Sequence, residues 1–202
     1  MAKKSKRSFS RPKPSRDLRK VYFIATEGEK TEAIYFDCFK GNPYRQNVIV
    51  RVLPTRKGRS SPTSVLNRLQ EKIKKTQLKP GDELWLIVDV PEWEKSELQQ
   101  VYQVCQKQGY FLGASNPSFE LWLLLHQRNP RTPATVKECE SELTRLLGKR
   151  YEKSNYDAQK LLAYVKEAIA HGKRLHTDEQ EFCPQQVGTH VYRLVEKLIV
   201  KT

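Results

Sequence analysis

The apolar positions between residues 21 and 126 form short strand-like runs that alternate with helix-like segments. Four runs rich in β-branched and aromatic residues predict strands: VYFIAT (21–26), NVIVRVLP (47–54), ELWLIVDV (83–90) and GYFLGAS (109–115). Strands that alternate with helices are typical of an α/β fold, in which the sheet is mostly parallel and flanked by helices. The pattern therefore predicts an α/β core with a mostly parallel sheet of about four strands.

Helices are predicted wherever apolar residues recur at spacings of three and four. In the segment after residue 64, Leu66, Leu69 and Ile73 follow this spacing, and Thr63 or Ser64 is the expected cap. Further helices are predicted at 31–40, 95–108 and 118–126, and beyond the core at 135–148, 156–172 and 189–200. We expect three parts: a basic arm (1–20), the α/β core (21–126) and a helical extension (134–202) packed on the core.

A strong excess of positive charge points to polyanionic partners. The chain of 202 residues has 37 Lys and Arg against 23 Asp and Glu, a formal net charge of +14. Its first 20 residues hold nine basic residues and one acid. They contain too little apolar surface to fold alone, so we expect disorder there. Two interpretations are open for this arm. It makes an electrostatic contact with nucleic acid or with a partner, or it is a solvated tail.

The cysteines and the hydropathy predict a protein of a reducing compartment. Cys38, Cys105, Cys139 and Cys183 lie far apart, without C-x-x-C pairs or histidines at zinc spacing, so buried free thiols are expected. No apolar run is long enough to cross a membrane, and the basic N-terminus lacks the apolar core of a signal peptide. We therefore expect a cytoplasmic protein without a membrane contact.

Acidic residues follow three of the predicted strands. Glu27 follows the first strand, Asp89 ends the third and Glu120 lies just beyond the fourth. Ligands of open α/β sheets bind at the carboxyl ends of the strands, and converging carboxylates suit Mg²⁺. A metal site for phosphodiester cleavage would also use a lysine, for which Lys153 is the first candidate and Lys30 the second. Taken singly, Glu27 also fits a charged helix start and Asp89 a helix or turn cap, whereas Glu120 in an apolar helix has no such simple explanation, because a buried carboxylate needs a partner.

Four motifs together resemble one family. The segments EGEKTEAIYF, VDVPEW, NPSFELWLLLH and YEKSNY, with the closing GTHVYRLVEKLI, are similar to the RloB-like proteins over about residues 21–200. RloB-like proteins are TOPRIM-related and are found near bacterial restriction and phage-defence loci. The resemblance implies a TOPRIM-like sheet, a Mg²⁺ or Mn²⁺ cofactor and an ATPase encoded alongside as a partner.

The resemblance also implies roles for individual residues. It places the TOPRIM glutamate at Glu27, with Glu32 as an additional ligand, and the first acid of the Asp-x-Asp motif at Asp89. It places the Ser-x-Glu pair, which supports a second metal in related nucleases, at Ser118 and Glu120. The assignment of the lysine to Lys153 rests on the weakest part of the match.

Position 91 departs from the TOPRIM pattern. TOPRIM enzymes usually have a second Asp there, whereas this chain has Pro91, which cannot bind a metal and restricts the backbone. Glu92, one residue further, could substitute for the absent ligand if the backbone turns suitably.

Two functions follow from these features. The first is a metal-dependent nuclease of TOPRIM type in antiviral defence, with DNA or RNA as substrate. The second is a catalytically impaired, nucleic-acid-binding or regulatory subunit of a defence complex. Phosphate contacts are expected from Lys30, Arg56, Lys57 and Arg59, although a solvated loop explains the last three as well. A homo-oligomer is compatible with either function. Primase or topoisomerase chemistry is disfavoured, because no zinc ribbon accompanies the motifs.

Other aromatic and histidine residues have structural interpretations. Trp85, Trp93 and Trp122 lie in or beside apolar runs, which predicts core positions rather than base-stacking surfaces. His126 lies one to two helical turns beyond the Ser118 and Glu120 pair. It is expected to be a hydrogen-bonded, partly buried histidine in preference to a metal ligand.

Overall fold

The structure, a computed structural model, describes residues 19–41, 48–55, 58–176, 178 and 181–199. The predicted basic arm lies almost entirely outside the described residues, and so do Arg56 and Lys57. Strands and helices are numbered in chain order below.

A five-stranded sheet forms the centre of the molecule. Its strands are β1 (Lys20–Thr26), β2 (Val48–Leu53), β3 (Glu83–Asp89), β4 (Phe111–Asn116) and β5 (Gly188–Thr189), in the order β2-β1-β3-β4-β5. The first four strands are parallel, and β5 pairs antiparallel with β4. The predicted α/β class and mostly parallel sheet are confirmed, with one short strand more than expected.

Eight helices lie within the described residues. They are α1 (Thr31–Asp37), α2 (Pro62–Lys74), α3 (Lys95–Gln108), α4 (Phe119–Leu124), α5 (Val136–Leu147), α6 (Ala158–Leu162), α7 (Val165–Leu175) and α8 (Val191–Ile199). The single helix expected over 156–172 is wrong, because the chain there forms α6 and α7, separated at residues 163 and 164. The apolar spacing continues through the break and so did not reveal it.

The start of α2 also differs from the prediction. Neither Thr63 nor Ser64 is the cap; Ser61 is, since its hydroxyl accepts a hydrogen bond from the Ser64 backbone N–H at 3.2 Å. Pro62 then occupies the first helical turn, where its missing N–H costs nothing.

The helices cover both faces of the sheet. Buried residues of α2 and α3, such as Leu69 and Leu98, pack with Phe23 and Leu86 of the strands on one face. The other face packs with α1, α4 and the helices after residue 134, whose side chains share one hydrophobic cluster with Ile24 and Ile87. The C-terminal helices therefore bury their apolar surface in a core that the sheet helps to build.

The order of the strands creates a crevice between β1 and β3. The chain passes from β1 to β2 on one side and then returns to β3 on the other side of β1. At such a reversal the connections diverge and leave an opening beyond the carboxyl ends of the two strands. Thr26 of β1 pairs with Ile87 of β3, so Glu27 and Asp89, which lie just beyond this pair, come to the mouth of the opening.

Two further expectations concern the cysteines and the membrane. The four cysteines are free; Cys105, Cys139 and Cys183 are buried, while Cys38 is half-exposed rather than buried. Among the described residues, the helices are too short or too polar to cross a bilayer.

Candidate active site

A cavity of about 340 Å³ opens at the carboxyl edge of the sheet, at the crevice between β1 and β3. It brings together acids from three separate segments of the chain, and a lysine from a fourth. The lining residues include Glu27, Glu29, Glu32, Asp89, Glu92, Glu120 and Lys153. All the acids predicted as ligands from the sequence therefore reach one space, and Lys153 reaches it with them.

Glu27 is held at the end of β1 by two donors on one oxygen. Its Oε2 accepts hydrogen bonds from the Asp89 backbone N–H and from the Trp93 indole Nε1, both at 2.9 Å. Within the described residues no protein donor contacts Oε1, so this oxygen is available to a ligand. Burial raises the pKa of Glu27 to about 7, against the effect of the two hydrogen bonds.

Glu32 folds back from the first turn of α1 over the backbone of Gly28. Its Oε1 accepts a hydrogen bond from the Gly28 N–H at 2.7 Å. A Cβ at position 28 would lie 2.1 Å from Glu32 Oε2, so a larger residue there would displace this carboxylate. Burial raises the pKa of Glu32, and the nearby charge of Glu120 adds to the effect.

Asp89, at the end of β3, is surrounded by the other acids. Burial raises its pKa well above the usual range for aspartate, and the charges of Glu32, Glu27 and Glu120 raise it further. The backbone of Phe119, by hydrogen bonding to the carboxylate, opposes this shift. Asp89 is therefore the electrostatic centre of a cluster of four carboxyl groups.

Pro91 and Glu92 take different positions in the turn after β3. Both are exposed, but only Glu92 lines the cavity. The charge of Glu92 also contributes to the raised pKa of Glu27, although burial and other groups have larger effects. The carboxylate of Glu92 thus lies at the rim of the cluster, while the residue in the usual second-acid position contributes no ligand.

Glu120 is anchored by a hydroxyl on each oxygen. Ser118 Oγ donates to Oε2 at 2.7 Å, and the Tyr151 hydroxyl donates to Oε1 at 3.1 Å. Lys153 Nζ lies 3.4 Å from the same Oε1 and 3.2 Å from Glu140. Burial alone would lower the pKa of Lys153, but Glu120 and Glu140 raise it, which keeps the ammonium charged. Ser118 lies outside the cavity lining and orients Glu120.

The predicted phosphate-binding residues are only partly described. Lys30 and Arg59 are exposed near the cavity, next to the lining residues Glu29 and Ser60. Arg56 and Lys57 lie outside the described residues, so their predicted role stays a prediction.

Three residues of the site carried no clear sequence pattern. Trp93 is predicted to lie in the core, but it is half-buried and its indole N–H donates to Glu27.

Arg68, on α2, donates from Nη2 to the Thr26 carbonyl at 2.6 Å and from Nε to the Leu53 carbonyl at 3.3 Å. It thereby joins the ends of β1 and β2. Tyr151 lies two residues before Lys153, which is the only feature of the sequence that could have indicated its role.

His126 lies apart from the acids. Its ring hydrogen bonds to the Tyr35 hydroxyl and to the Trp122 carbonyl, both at 3.0 Å, in the buried core. Burial lowers its pKa to about 4, so it is a neutral structural residue at physiological pH. Trp85 and Trp122 are fully buried, as expected.

Comparison with known proteins gave one match. The family model described as "RloB-like protein" matches residues 22–198, which is most of the chain and includes every residue of the cavity. Searches of curated proteins and of solved structures found no match.

Proposed function

The chain belongs to the RloB-like family, and from this premise we propose that it is a metal-dependent nuclease of TOPRIM type that hydrolyses phosphodiester bonds. The observation that carries the proposal is the convergence of Glu27, Glu32, Asp89 and Glu120 in one cavity at the reversal point of the sheet. In α/β proteins this is the place where ligands bind.

The electrostatics of the cluster fit a divalent cation. Burial and mutual repulsion raise the pKa values of Glu27, Glu32 and Asp89, so the ionised carboxylates are unfavourable without a positive partner. A hard cation with oxygen ligands, Mg²⁺ or Mn²⁺, would relieve this repulsion. Glu27 and Asp89 would hold it, with Glu32 or Glu92 assisting, and Glu120 would hold or support a second ion.

The chain's own groups have defined tasks in this proposal. A bound cation would supply an activated water and neutralise charge on the phosphate. The Asp89 N–H and Trp93 fix the orientation of Glu27, and Ser118 and Tyr151 fix that of Glu120. The ammonium of Lys153 supplies a positive charge at the wall of the cavity, where a transition state gains negative charge.

A cleavage assay tests the proposal. Labelled single- and double-stranded DNA and RNA are incubated with the protein and Mg²⁺ or Mn²⁺, beside Glu27→Gln and the exposed control Glu71→Gln on α2. We expect metal-dependent cleavage by the unsubstituted protein and by Glu71→Gln, and a loss of at least about 100-fold in Glu27→Gln. Absence of cleavage on every substrate with both metals, or equal cleavage by Glu27→Gln, would contradict it.

Pro91 favours a second candidate function, a catalytically impaired subunit that binds nucleic acid or regulates a defence complex with an ATPase partner. In this case the unsubstituted protein binds nucleic acid without cutting it, and the binding survives EDTA and Glu27→Gln. Pro91→Asp provides the decisive comparison, because it restores the acid at that position. Cleavage that appears only in Pro91→Asp supports the impaired subunit, whereas cleavage by the unsubstituted protein excludes it. A role in antiviral defence follows from the family resemblance under either function.

A further inference from the structure

A second group of ligating side chains lies where the end of α7, the following loop and the start of α8 meet. It consists of His176, Glu181 and His190, none of which lines the carboxylate cavity. One nitrogen or oxygen atom of each lies within 4.8 Å of those of the other two. We propose that this cluster binds one zinc-type transition-metal ion, separate from the cation of the carboxylate cavity.

The spacing of the two imidazoles fits a shared metal. His190 Nε2 lies 3.1 Å from His176 Nδ1. Two nitrogens on a tetrahedral zinc, each about 2.0–2.1 Å from the metal, are roughly 3.3 Å apart, so the rings would have to move little. Two histidines and one glutamate are a recurrent zinc donor set, with water as the fourth ligand. The same imidazole contact serves as an N–H···N hydrogen bond when no metal is present.

The surrounding backbone holds two of the three ligands. His190 is fully buried, and its backbone N–H donates to the Ala114 carbonyl at 2.8 Å, next to the sheet. The Glu181 carboxylate accepts a hydrogen bond from the Gln185 N–H at 3.1 Å, which restricts its orientation. The cluster thus brings one ligand from the sheet edge and one from the loop to His176 at the end of α7.

In the metal-free protein, the contact with Arg193 favours the tautomer of His176 that cannot bind a metal through Nδ1. Its Nη2 lies 2.8 Å from His176 Nε2. Because a guanidinium group only donates, this nitrogen must accept, and the proton of the neutral His176 ring is then on Nδ1. A metal on Nδ1 requires the other tautomer, with the proton on Nε2, so the Arg193 guanidinium must turn away. Arg193 is half-exposed and can turn towards solvent.

The Arg193 contact predicts that replacing this arginine increases the affinity for zinc. In Arg193→Gln a positive charge is removed, and the new amide oxygen can accept the Nε2 proton of metal-bound His176. Such an outer partner improves the affinity of a histidine for its metal by roughly 10-fold or more. Arg193→Gln should therefore bind zinc about tenfold more tightly than the unsubstituted protein. A merely hydrogen-bonded histidine pair would show no such gain.

The experiment measures binding of Zn²⁺ by calorimetry and of Co²⁺ by its visible absorption, using the full chain freed of metal. The double substitution Glu27→Gln, Asp89→Asn is carried in every sample of a parallel series, so that ions held by the carboxylate cavity are excluded. We expect about one Zn²⁺ per chain, an absorption typical of four-coordinate Co²⁺, and binding at least tenfold weaker in His176→Gln and in Glu181→Gln. Saturating Zn²⁺ should raise the melting temperature by about 5 °C in the unsubstituted protein and in Arg193→Gln, but not in His176→Gln or Glu181→Gln.

Three outcomes overturn the inference. The first is that neither the unsubstituted protein nor Arg193→Gln binds about one Zn²⁺ per chain. The second is that Glu181→Gln binds Zn²⁺ as tightly as the unsubstituted protein. The third is that the parallel series binds no Zn²⁺. Glu181 is half-exposed, so its substitution remains informative if His176→Gln fails to fold. Because the parallel series lacks the two carboxylates proposed to hold the cation of the cavity, the result does not depend on the nuclease proposal.

Discussion

Glu27 shows at the scale of one residue how the burial of a carboxyl group affects the stability of the protein. Its pKa in the folded protein is about 7, whereas that of an unfolded chain is near the ordinary 4.5. The folded state therefore binds more protons than the unfolded state between these values, and stability falls as the pH rises from about 4.5 to 7. The site is electrostatically unfavourable in the range in which it would bind a cation.

The first prediction follows from this linkage. In the metal-free protein, Glu27→Gln should remove a loss of stability on the order of 3 kcal/mol that otherwise develops between pH 4.5 and 7. Urea unfolding of both proteins at pH 5 and pH 8 measures the difference. Glu71→Gln, at an exposed position of α2, is the control and should leave the pH dependence unchanged. A parallel pH dependence in Glu27→Gln and the unsubstituted protein would show that Glu27 titrates normally.

Trp93 gives the second prediction at this scale, because it acts through Glu27. Trp93→Phe keeps an aromatic ring but removes the N–H that contacts Glu27 Oε2. Losing a hydrogen bond to an ionised group should weaken Mn²⁺ binding by roughly tenfold, as calorimetry can measure. Trp85→Phe is a matched control, since the indole of Trp85 donates to Glu83 instead. Equal affinities in the two variants would mean that the Trp93 contact does not position Glu27.

At the scale of elements, α2 holds the ends of two strands together. Arg68 donates to the carbonyls of Thr26 and Leu53, the last residues of β1 and β2, and to that of Arg59 at 3.4 Å. The Thr55 hydroxyl also donates to the Thr26 carbonyl, at 3.0 Å. The loop after β2 is thereby tied to the strand that carries Glu27.

The third prediction tests this connection. Arg68→Met keeps much of the side-chain volume but leaves partly buried carbonyl groups without their donor, which should lower the free energy of unfolding by about 2–3 kcal/mol. Metal affinity should fall as well, because the end of β1 is loosened. Chemical denaturation and Mn²⁺ calorimetry check the two effects. Lys72→Met, an exposed change on the same helix, should alter neither. A variant as stable as the unsubstituted protein would show that the carbonyls find other partners.

At the scale of the whole molecule, a strongly basic chain contains a cavity lined mainly by acids among its charged residues. A net charge of +14 would attract a polyanion, whereas the ionised acids of the cavity would repel its phosphates in the absence of a cation. Under the proposed function, binding and cleavage would therefore have different requirements: binding would depend on exposed basic residues and salt, and cleavage on the metal.

The fourth prediction concerns this separation. Affinity for nucleic acid should fall steeply with salt, and each lost phosphate contact should reduce the slope of log K against log salt by about one. The double variant Lys30→Ala, Arg59→Ala should thus have a slope smaller by about two, measured by fluorescence anisotropy. Lys107→Ala is the control, because α3 ends at the opposite edge of the sheet. An unchanged slope in the double variant would place the phosphate path elsewhere.

The sequence by itself determined the fold class and the principal acids. Alternating apolar runs specify parallel strands and their helices, and the carboxyl ends of parallel strands share one edge, so Glu27 and Asp89 had to be neighbours. Their positions follow from local pattern and from a general property of sheets. The family resemblance added Glu32 and Ser118 to this set.

Only the tertiary structure decided what supports these acids. Each supporting contact joins residues far apart in the chain. Trp93 donates to Glu27 across 66 positions, Arg68 to Thr26 across 42, and Tyr151 to Glu120 across 31. Local periodicity contains no information about such distant contacts, since each residue also suits an ordinary core or surface position. Strand β5 was missed for a related reason: two residues are too few for a pattern, and their pairing depends on β4 lying beside them.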